Sequence, residues 1–245
     1  EWIREAIKAI EQRTTNEVAD ELGDHQHAGT EDEVRDDAFT DAIAADIKAD
    51  RIASEDPMWE SRPILKYVKA CARASDVAPM AVLFSFLAKY SAELDPNACL
   101  PSGGTLNMFV ALHGNPGSGK TGAIRTARDM HDWQTPITGL ATGEGVAQSY
   151  GRWDNKNKVW DQKERRVMFT ADEITTLVGV SNRSGSILVG MMNSAWSGAP
   201  LTMGYADPSK RFYIDEYRLS AVVGAQSDLA GEITSQSASG FAQRF

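Results

Sequence analysis

Cysteine and long apolar runs are scarce in this sequence of 245 residues. The two cysteines, Cys71 and Cys99, lack the spacing of a metal-binding motif, and the four histidines do not cluster with them. We therefore expect reduced thiols, as in a cytoplasmic protein. No apolar run approaches the roughly 20 residues that cross a bilayer. No secretory signal is visible, but the chain starts at Glu1 rather than Met and is interpreted as a fragment. These absences argue against a disulfide-stabilised secreted domain and against an integral membrane protein.

Acidic charge is concentrated at the start of the chain. Residues 1–60 carry 18 acidic and 6 basic side chains, a net charge of −12, whereas residues 61–245 carry 16 acidic and 19 basic side chains, a net charge of +3. The total of −9 therefore does not argue against nucleic-acid binding by the second part of the chain.

The charge division and the Asp56-Pro57 step predict two regions. Residues 1–56 are interpreted as an acidic helical segment or linker, with helices in residues 1–22 and from Glu31 to about Ser54. These helices have narrow apolar stripes, so they either lie in solvent or dock on a neighbouring subunit. Residues 57–245 are interpreted as one domain, with a helical lead-in over residues 57–95.

One stretch organises this domain. An apolar strand, Met108 to Leu112, runs into a turn and then a helix that ends near Asp132. The turn reads Gly114-Asn115-Pro116-Gly117-Ser118-Gly119-Lys120-Thr121, followed by Gly122. It fits the phosphate-binding pattern G-x-x-x-x-G-K-[ST] at every fixed position. Glycines and a helix N-terminus let backbone N–H groups converge on phosphate oxygens. Lys120 would reach the β- and γ-phosphates and Thr121 would ligate Mg²⁺, so the stretch predicts a site for ATP and Mg²⁺.

Two later strands end in polar side chains that suit the same chemistry. Asp172-Glu173 follow the apolar run that begins at Arg165. Asp172 would hold Mg²⁺ and its water shell, and Glu173 would polarise the attacking water, unless the pair is only a surface acidic pair. Gln226 follows the strand Leu219–Gly224, where a sensor of the γ-phosphate would lie.

Strands that alternate with helices predict an α/β fold with a mostly parallel sheet flanked by helices. With the phosphate loop, the pattern indicates a P-loop NTPase core of the RecA-like or AAA+-like kind, preceded by the helical N-terminal segment. Ligand is expected at the carboxyl ends of the strands. The helix Met80–Ala92 is apolar nearly all round and is therefore expected to be buried.

Residues 57–245 resemble the ATPase domain of phage and plasmid replication proteins that join a primase–polymerase to a helicase, and closely resemble the actinobacteriophage primase–helicase group. The matching pieces are Met58-Trp59-Glu60, Ala78 to Leu83, Leu100-Pro101, Thr105 to Leu112, the phosphate loop, Asp172-Glu173, Gly204-Tyr205-Ala206, Tyr217-Arg218-Leu219, Gly224-Ala225-Gln226 and Gly240 to Phe245. The family usually has proline after the sensor glutamine, where this chain has Ser227.

The resemblance implies an ATP-driven DNA helicase that acts as a ring-shaped homo-oligomer, of hexamer type, in the bacterial host cytoplasm. It makes Arg244, in the closing Gln-Arg-Phe, a candidate arginine finger in trans, and it leaves open a primase domain in the same full-length chain. Single-stranded or duplex DNA would pass near the centre of such a ring.

Two sequence-predicted hairpins bear on this interpretation. Lys210 and Arg211 lie at the tip of the hairpin from Pro200 to Tyr217, where they either contact DNA phosphates or lie in solvent. Trp153 and Trp160 flank the other hairpin and are expected to pack across its strands, although they could stack on bases.

Two other functions remain open from the sequence. One is an ATPase that loads or remodels proteins at the replication fork. The other is a nucleotide-binding switch that does not unwind DNA, which the Asp172-Glu173 pair disfavours because a passive switch needs no water-activating carboxylate.

Overall fold

The computed structural model describes residues 56–140, 142–172, 179, 186–226 and 241–245. The two predicted N-terminal helices lie outside the described residues. Contacts divide the chain into two compact units. One comprises the chain up to Leu83 together with Gly117–Met130, and the other comprises Phe84–Pro116 together with His131–Phe245.

The described part of the first unit is helical. A short 3₁₀ helix, Pro57–Glu60, precedes α1, Pro63–Ala74, and the unit also contains the start of α2, Pro79–Glu93, and all of α3, Lys120–Asp129. Pro63 stands in the first turn of α1, where its missing N–H costs nothing. The Tyr67 hydroxyl donates to the Met130 carbonyl at 3.0 Å, which fixes α1 against the end of α3.

Within the described residues, the second unit contains eight strands and two further α-helices. The helices are α4, Gly143–Tyr150, and α5, Leu188–Ser197. The strands are β1 Met108–His113, β2 Ile137–Gly139, β3 Gly151–Asp154, β4 Val159–Gln162, β5 Arg166–Ala171, β6 Leu201–Met203, β7 Phe212–Ile214 and β8 Arg218–Ala225. Four of these strands form a parallel sheet in the order β1-β8-β5-β2. The other four form two antiparallel hairpins, β3–β4 and β6–β7.

Helices cover both faces of the parallel sheet. Alternate residues of β8, including Leu219, Ala221 and Val223, pack in the main hydrophobic core with α4 and α5. On the opposite face, the Ser220 hydroxyl donates to the Ser91 hydroxyl of α2 at 3.0 Å. Every residue of β8 is buried, as a central strand of a parallel sheet requires. The predicted α/β fold with a parallel sheet flanked by helices is confirmed, and it is compatible with a RecA-like core.

Helix α2 is less buried than its sequence predicts. Phe84, Leu87 and Tyr90 are 42%, 38% and 53% exposed, whereas Val82, Ala88 and Ala92 are fully buried. The prediction that the helix is buried all round was wrong for one side, because a helix lying on a sheet buries only the stripe that faces it.

A buried arginine fixes the loop that leads into β1. The Arg218 guanidinium donates to the carbonyls of Asp95 and Ala98, both at 2.6 Å, and to the Thr105 hydroxyl at 3.0 Å. Burial lowers the pKa of Arg218 from its ordinary value. The side chain amide of Asn107 accepts from the backbone N–H of Leu219 at 3.0 Å and donates to the carbonyl of Ala195 at 2.6 Å. Strand β1 is thereby held in register with β8 and with the end of α5.

Candidate functional site

The carboxyl edge of the parallel sheet brings three of the predicted site residues together. His113, the last residue of β1, pairs with Ala225 of β8, and the Gly114 N–H donates to the Ala225 carbonyl at 3.1 Å. Gln226 follows directly and is half-buried. On the other side of β8, Ala171 pairs with Val223, which places the exposed Asp172 at the same edge.

The order of the strands sets the spacing of this edge. Because β8 lies between β1 and β5, the backbones at the ends of β1 and β5 are two strand spacings apart, about 10 Å. Gln226 therefore lies between the start of the glycine-rich loop and Asp172. A separation of about 10 Å between the ends of β1 and β5 suits a phosphate group and a hydrated cation, with the Gln226 amide between them.

Glycine at position 224 permits this edge to close. A Cβ on Gly224 would collide with the carbonyl oxygen of Asp172. Sequence reasoning treated Gly224 only as the end of a strand. The available signal was a glycine directly after two residues that favour strands, Val222 and Val223, since glycine inside a strand marks a close backbone approach.

The second half of the predicted phosphate loop belongs to the unit that contains α3. Gly117 and Gly119 have φ angles of 80° and 78°, which side chains rarely adopt, and a Cβ on Gly117 would meet no atom within 4 Å. Helix α3 begins at Lys120 without a side-chain cap. An uncapped helix N-terminus beneath an open, left-handed glycine turn has the polarity and the room that an anion requires.

The side chains of this segment lie on or near the surface. Lys120 is partly buried, and its ammonium donates to the Ser118 hydroxyl at 3.3 Å, so it turns back over its own loop. Thr121 is exposed in the first turn of α3. Val77 packs beneath the segment, because a Cβ on Gly119 or Gly122 would lie 3.3 or 2.9 Å from its side chain. Glycine therefore permits the left-handed backbone at Gly117 and Gly119, and it permits close packing against Val77 at Gly119 and Gly122.

Each unit, taken by itself, contains side chains that suit part of a nucleoside triphosphate or its Mg²⁺. The ammonium of Lys120 and the amides at the start of α3 suit phosphate oxygens, and the oxygens of Thr121 and Asp172 are ligands of the kind that Mg²⁺ prefers. A cluster of three or more histidine, cysteine or carboxylate side chains is not found among the described residues. The donor set does not require one, because Mg²⁺ in phosphate sites keeps several waters and takes one or two protein ligands.

Arg244 lies away from the carboxyl edge of its own sheet. Its guanidinium stands over the ring of Trp196, 5.5 Å from the centroid, at the end of α5. The neighbouring Ala195 accepts a hydrogen bond from Asn107, which immediately precedes β1. Since Gly114 follows β1, the span of the strand separates the two ends by about 20 Å. The structure thus groups Arg244 with the amino edge of the sheet.

The remaining predicted site residues are placed as follows. Glu173 and Ser227 lie outside the described residues. Lys210 ends a 3₁₀ turn, Pro208–Lys210, between β6 and β7 and is exposed. Arg211 donates to the carbonyls of Tyr205 and Ala206, at 2.6 and 3.2 Å, and so braces the loop. Trp153 and Trp160 are register partners across β3 and β4, so their side chains lie on the same face of the hairpin.

Both cysteines, Cys71 and Cys99, are free thiols, as expected. Among the helices that the structure describes, none is long and apolar enough to cross a membrane.

Comparison with known proteins adds no family to this geometry. A scan against models of protein families gives no match. A search of curated proteins likewise gives no significant match.

Proposed function

We propose that this chain contains the ATP-hydrolysing motor domain of a replicative DNA helicase, of the phage or plasmid primase–helicase kind, working as a ring. The observation that carries the proposal is the carboxyl edge of the sheet. Gly114, Asp172 and Gln226 meet there, and the chain leaves that edge directly into the G-K-T sequence at the start of α3.

Each residue has a distinct role in this proposal. The amides at the start of α3 and the Lys120 ammonium bind the β- and γ-phosphates. Thr121 and Asp172 hold Mg²⁺, which when bound neutralises charge on the phosphate oxygens. Glu173 orients and polarises the attacking water, and Gln226 contacts the γ-phosphate between the two strand ends.

Hydrolysis also needs a cation that stabilises charge developing on the transferred phosphoryl group. Arg244 is the candidate, and its place near the amino edge favours action on a neighbouring subunit's nucleotide. An arginine supplied in trans makes an assembly of several subunits a condition of turnover, which supports the ring.

The proposal is tested by the rate of ATP hydrolysis with and without single-stranded DNA. We expect DNA to stimulate the wild type, and we expect Lys120→Ala and Glu173→Gln to abolish turnover while their circular dichroism spectra stay native. Lys163→Ala, an exposed lysine paired with Asp161 at 2.5 Å, is the matched control and should keep full activity. Wild-type turnover in Glu173→Gln would contradict the site assignment.

A rate of ATP hydrolysis that is the same with and without DNA, together with no salt-dependent DNA binding, would favour an ATPase that loads or remodels proteins instead. Nucleotide binding without measurable hydrolysis would favour the switch.

A further inference from the structure

A cavity of about 350 Å³ lies between α4 and the two hairpins. Helix α4 forms one wall, β3–β4 a second, and the β6–β7 hairpin a third. Its lining includes four aromatic and two basic side chains: Trp153, Trp160, Tyr205, Phe212, Arg152 and Lys210. The volume is near the lower end of small-ligand pockets, a size that suits one or two planar rings.

The aromatic wall is held in place by contacts on its far side. Trp160 packs on the buried Phe212 with ring centroids 5.6 Å apart, and Trp153 stands opposite Trp160 in the hairpin register. The Tyr205 hydroxyl donates to the Glu144 carboxylate at 2.8 Å, which ties the second hairpin to α4 and raises the pKa of Tyr205. Trp153 and Tyr205 remain half-buried, so ring surface still faces the opening.

Trp160 also supplies a donor that lacks an acceptor. Its indole N–H is enclosed, and it has no hydrogen-bond partner among the described residues. Buried polar groups without partners are uncommon, and an indole N–H can only donate. Because this nitrogen is closed to solvent, a ligand oxygen would reach it only with a shift of the Trp160 ring.

The charges at the rim select an anion. Arg152 and Lys210 line the cavity, and its lining carboxylate, Glu144, already accepts the Tyr205 hydroxyl. Arg211 is held by backbone carbonyls of its own loop, which leaves Lys210 as the cation of that loop that lines the cavity. Planar rings, an oxygen acceptor and a negative charge together describe a nucleotide unit.

We propose that this cavity binds single-stranded nucleic acid, with an unstacked base against Trp153 and Trp160 and the adjoining phosphate at Lys210 and Arg152. A duplex keeps its bases stacked and paired, so it cannot place one in a recess of this kind without opening. This site would hold one DNA strand for the proposed helicase, so the inference rests on that proposed function. Binding is measured without ATP, so failure here and failure of the ATPase proposal are distinguishable.

The test is fluorescence anisotropy of a labelled oligothymidylate with the full chain, without nucleotide, at low salt. We expect the wild type to bind it. Trp153→Ala and Lys210→Ala should each weaken binding, the tryptophan change by about tenfold. Trp160→Phe keeps a ring against Phe212 but removes the N–H, and should weaken binding less. Tyr213→Ala removes a more exposed aromatic, 59% exposed, from β7 outside the cavity lining, and should leave binding unchanged.

Three results would overturn the inference. One is no binding by the wild type. Another is equal binding by the wild type, Trp153→Ala and Lys210→Ala, all with native circular dichroism spectra. The third is competition by thymidine monophosphate or by a blunt duplex as strong as that by unlabelled oligothymidylate, because a free nucleotide or a duplex would then be the preferred ligand.

Discussion

Gly224 lies so close to the carbonyl oxygen of Asp172 that even a methyl group would not fit between them. Gly224 is the next-to-last residue of β8, and Asp172 directly follows the neighbouring β5. Asp172 is the carboxylate that the proposed mechanism uses to hold Mg²⁺. The absence of a side chain at position 224 therefore sets the position of Asp172.

Gly224→Ala is expected to displace Asp172 and to impair hydrolysis more than it impairs the fold. The added methyl group meets backbone, which cannot rotate away as a side chain can. Overpacking of this kind costs typically about 1–3 kcal/mol of stability. The measurements are urea unfolding and the Mg²⁺ dependence of the ATPase rate, and we expect a higher Mg²⁺ requirement.

Gly190→Ala is the control for this change. Gly190 lies in α5, where an added Cβ would meet no atom within 4 Å, so alanine should leave activity unchanged and raise stability by about 0.5–1 kcal/mol. A Gly224→Ala protein with the wild-type Mg²⁺ dependence would show that the close approach does not position Asp172.

Arg218→Met is expected to lower the free energy of unfolding by about 3 kcal/mol. The change keeps most of the side-chain volume but removes the donor of the part-buried hydrogen bonds to the carbonyls of Asp95 and Ala98. Arg165→Met is the control. Arg165 directly precedes β5, is exposed and pairs with Glu216 at 2.5 Å, so its loss should lower the free energy of unfolding by less than about 1 kcal/mol. Equal losses in the two variants, measured by urea unfolding, would contradict a structural role specific to Arg218.

Lys89 is expected to make stability rise between about pH 8 and pH 10. Burial lowers the pKa of Lys89 from 10.5 to about 8, although Glu93 acts in the opposite direction. Between these values the unfolded chain binds a proton that the folded chain has released, so the free energy of unfolding increases with pH. Below pH 8 both states are protonated and the cost of burying the charge is constant.

The check compares the wild type with Lys89→Met over this pH range by urea unfolding, followed by tryptophan fluorescence. The difference in stability should shift in favour of the wild type by at most about 3 kcal/mol as pH rises. Tyr150 and Tyr217, whose pKa values burial raises, oppose the increase near pH 10 in both proteins and cancel in the comparison. Parallel pH profiles would show that Lys89 stays charged in the folded protein.

The parts of the fold that the sequence predicted well are those with local signals. Apolar runs that end in glycine or in polar residues located β1, β5 and β8. The helix signal at Thr142 is a cap in which its hydroxyl accepts from the Gly145 N–H at 3.0 Å. The contacts that hold these elements together are not local. Arg218 reaches back more than 110 residues to its carbonyl partners, and nothing in its sequence neighbours marks it as buried.

The candidate site likewise has a part that local sequence patterns predict and a part that depends on which strands pair. The octet from Gly114 to Thr121 has a strict pattern because backbone conformation and charge are both constrained, so it is visible in sequence. The strand order that sets Gln226 between Gly114 and Asp172 depends on which strands pair, and no local pattern encodes it. The exposed side of α2 also escaped prediction, because composition shows how apolar a helix is but not how many neighbours cover it.

Mixing two inactive variants tests whether Arg244 acts on a neighbouring subunit. Lys120→Ala removes the phosphate-binding lysine but keeps Arg244, whereas Arg244→Ala does the reverse. If the arginine acts in trans, an interface between an Arg244→Ala subunit and a Lys120→Ala neighbour contains one complete site. An equal mixture of freely exchanging subunits should then recover about a quarter of the wild-type ATPase rate, if sites act independently.

The matched control replaces the Lys120→Ala partner with the double variant Lys120→Ala/Arg244→Ala, which can complete no site and should restore nothing. Recovery with the single variant but not with the double one requires the arginine to cross an interface. No recovery in either mixture, with exchange verified by fluorescence energy transfer between labelled subunits, would mean that Arg244 acts within its own chain. Its position over Trp196 would then have to change before it could reach the carboxyl edge, since the span of β1 separates the two.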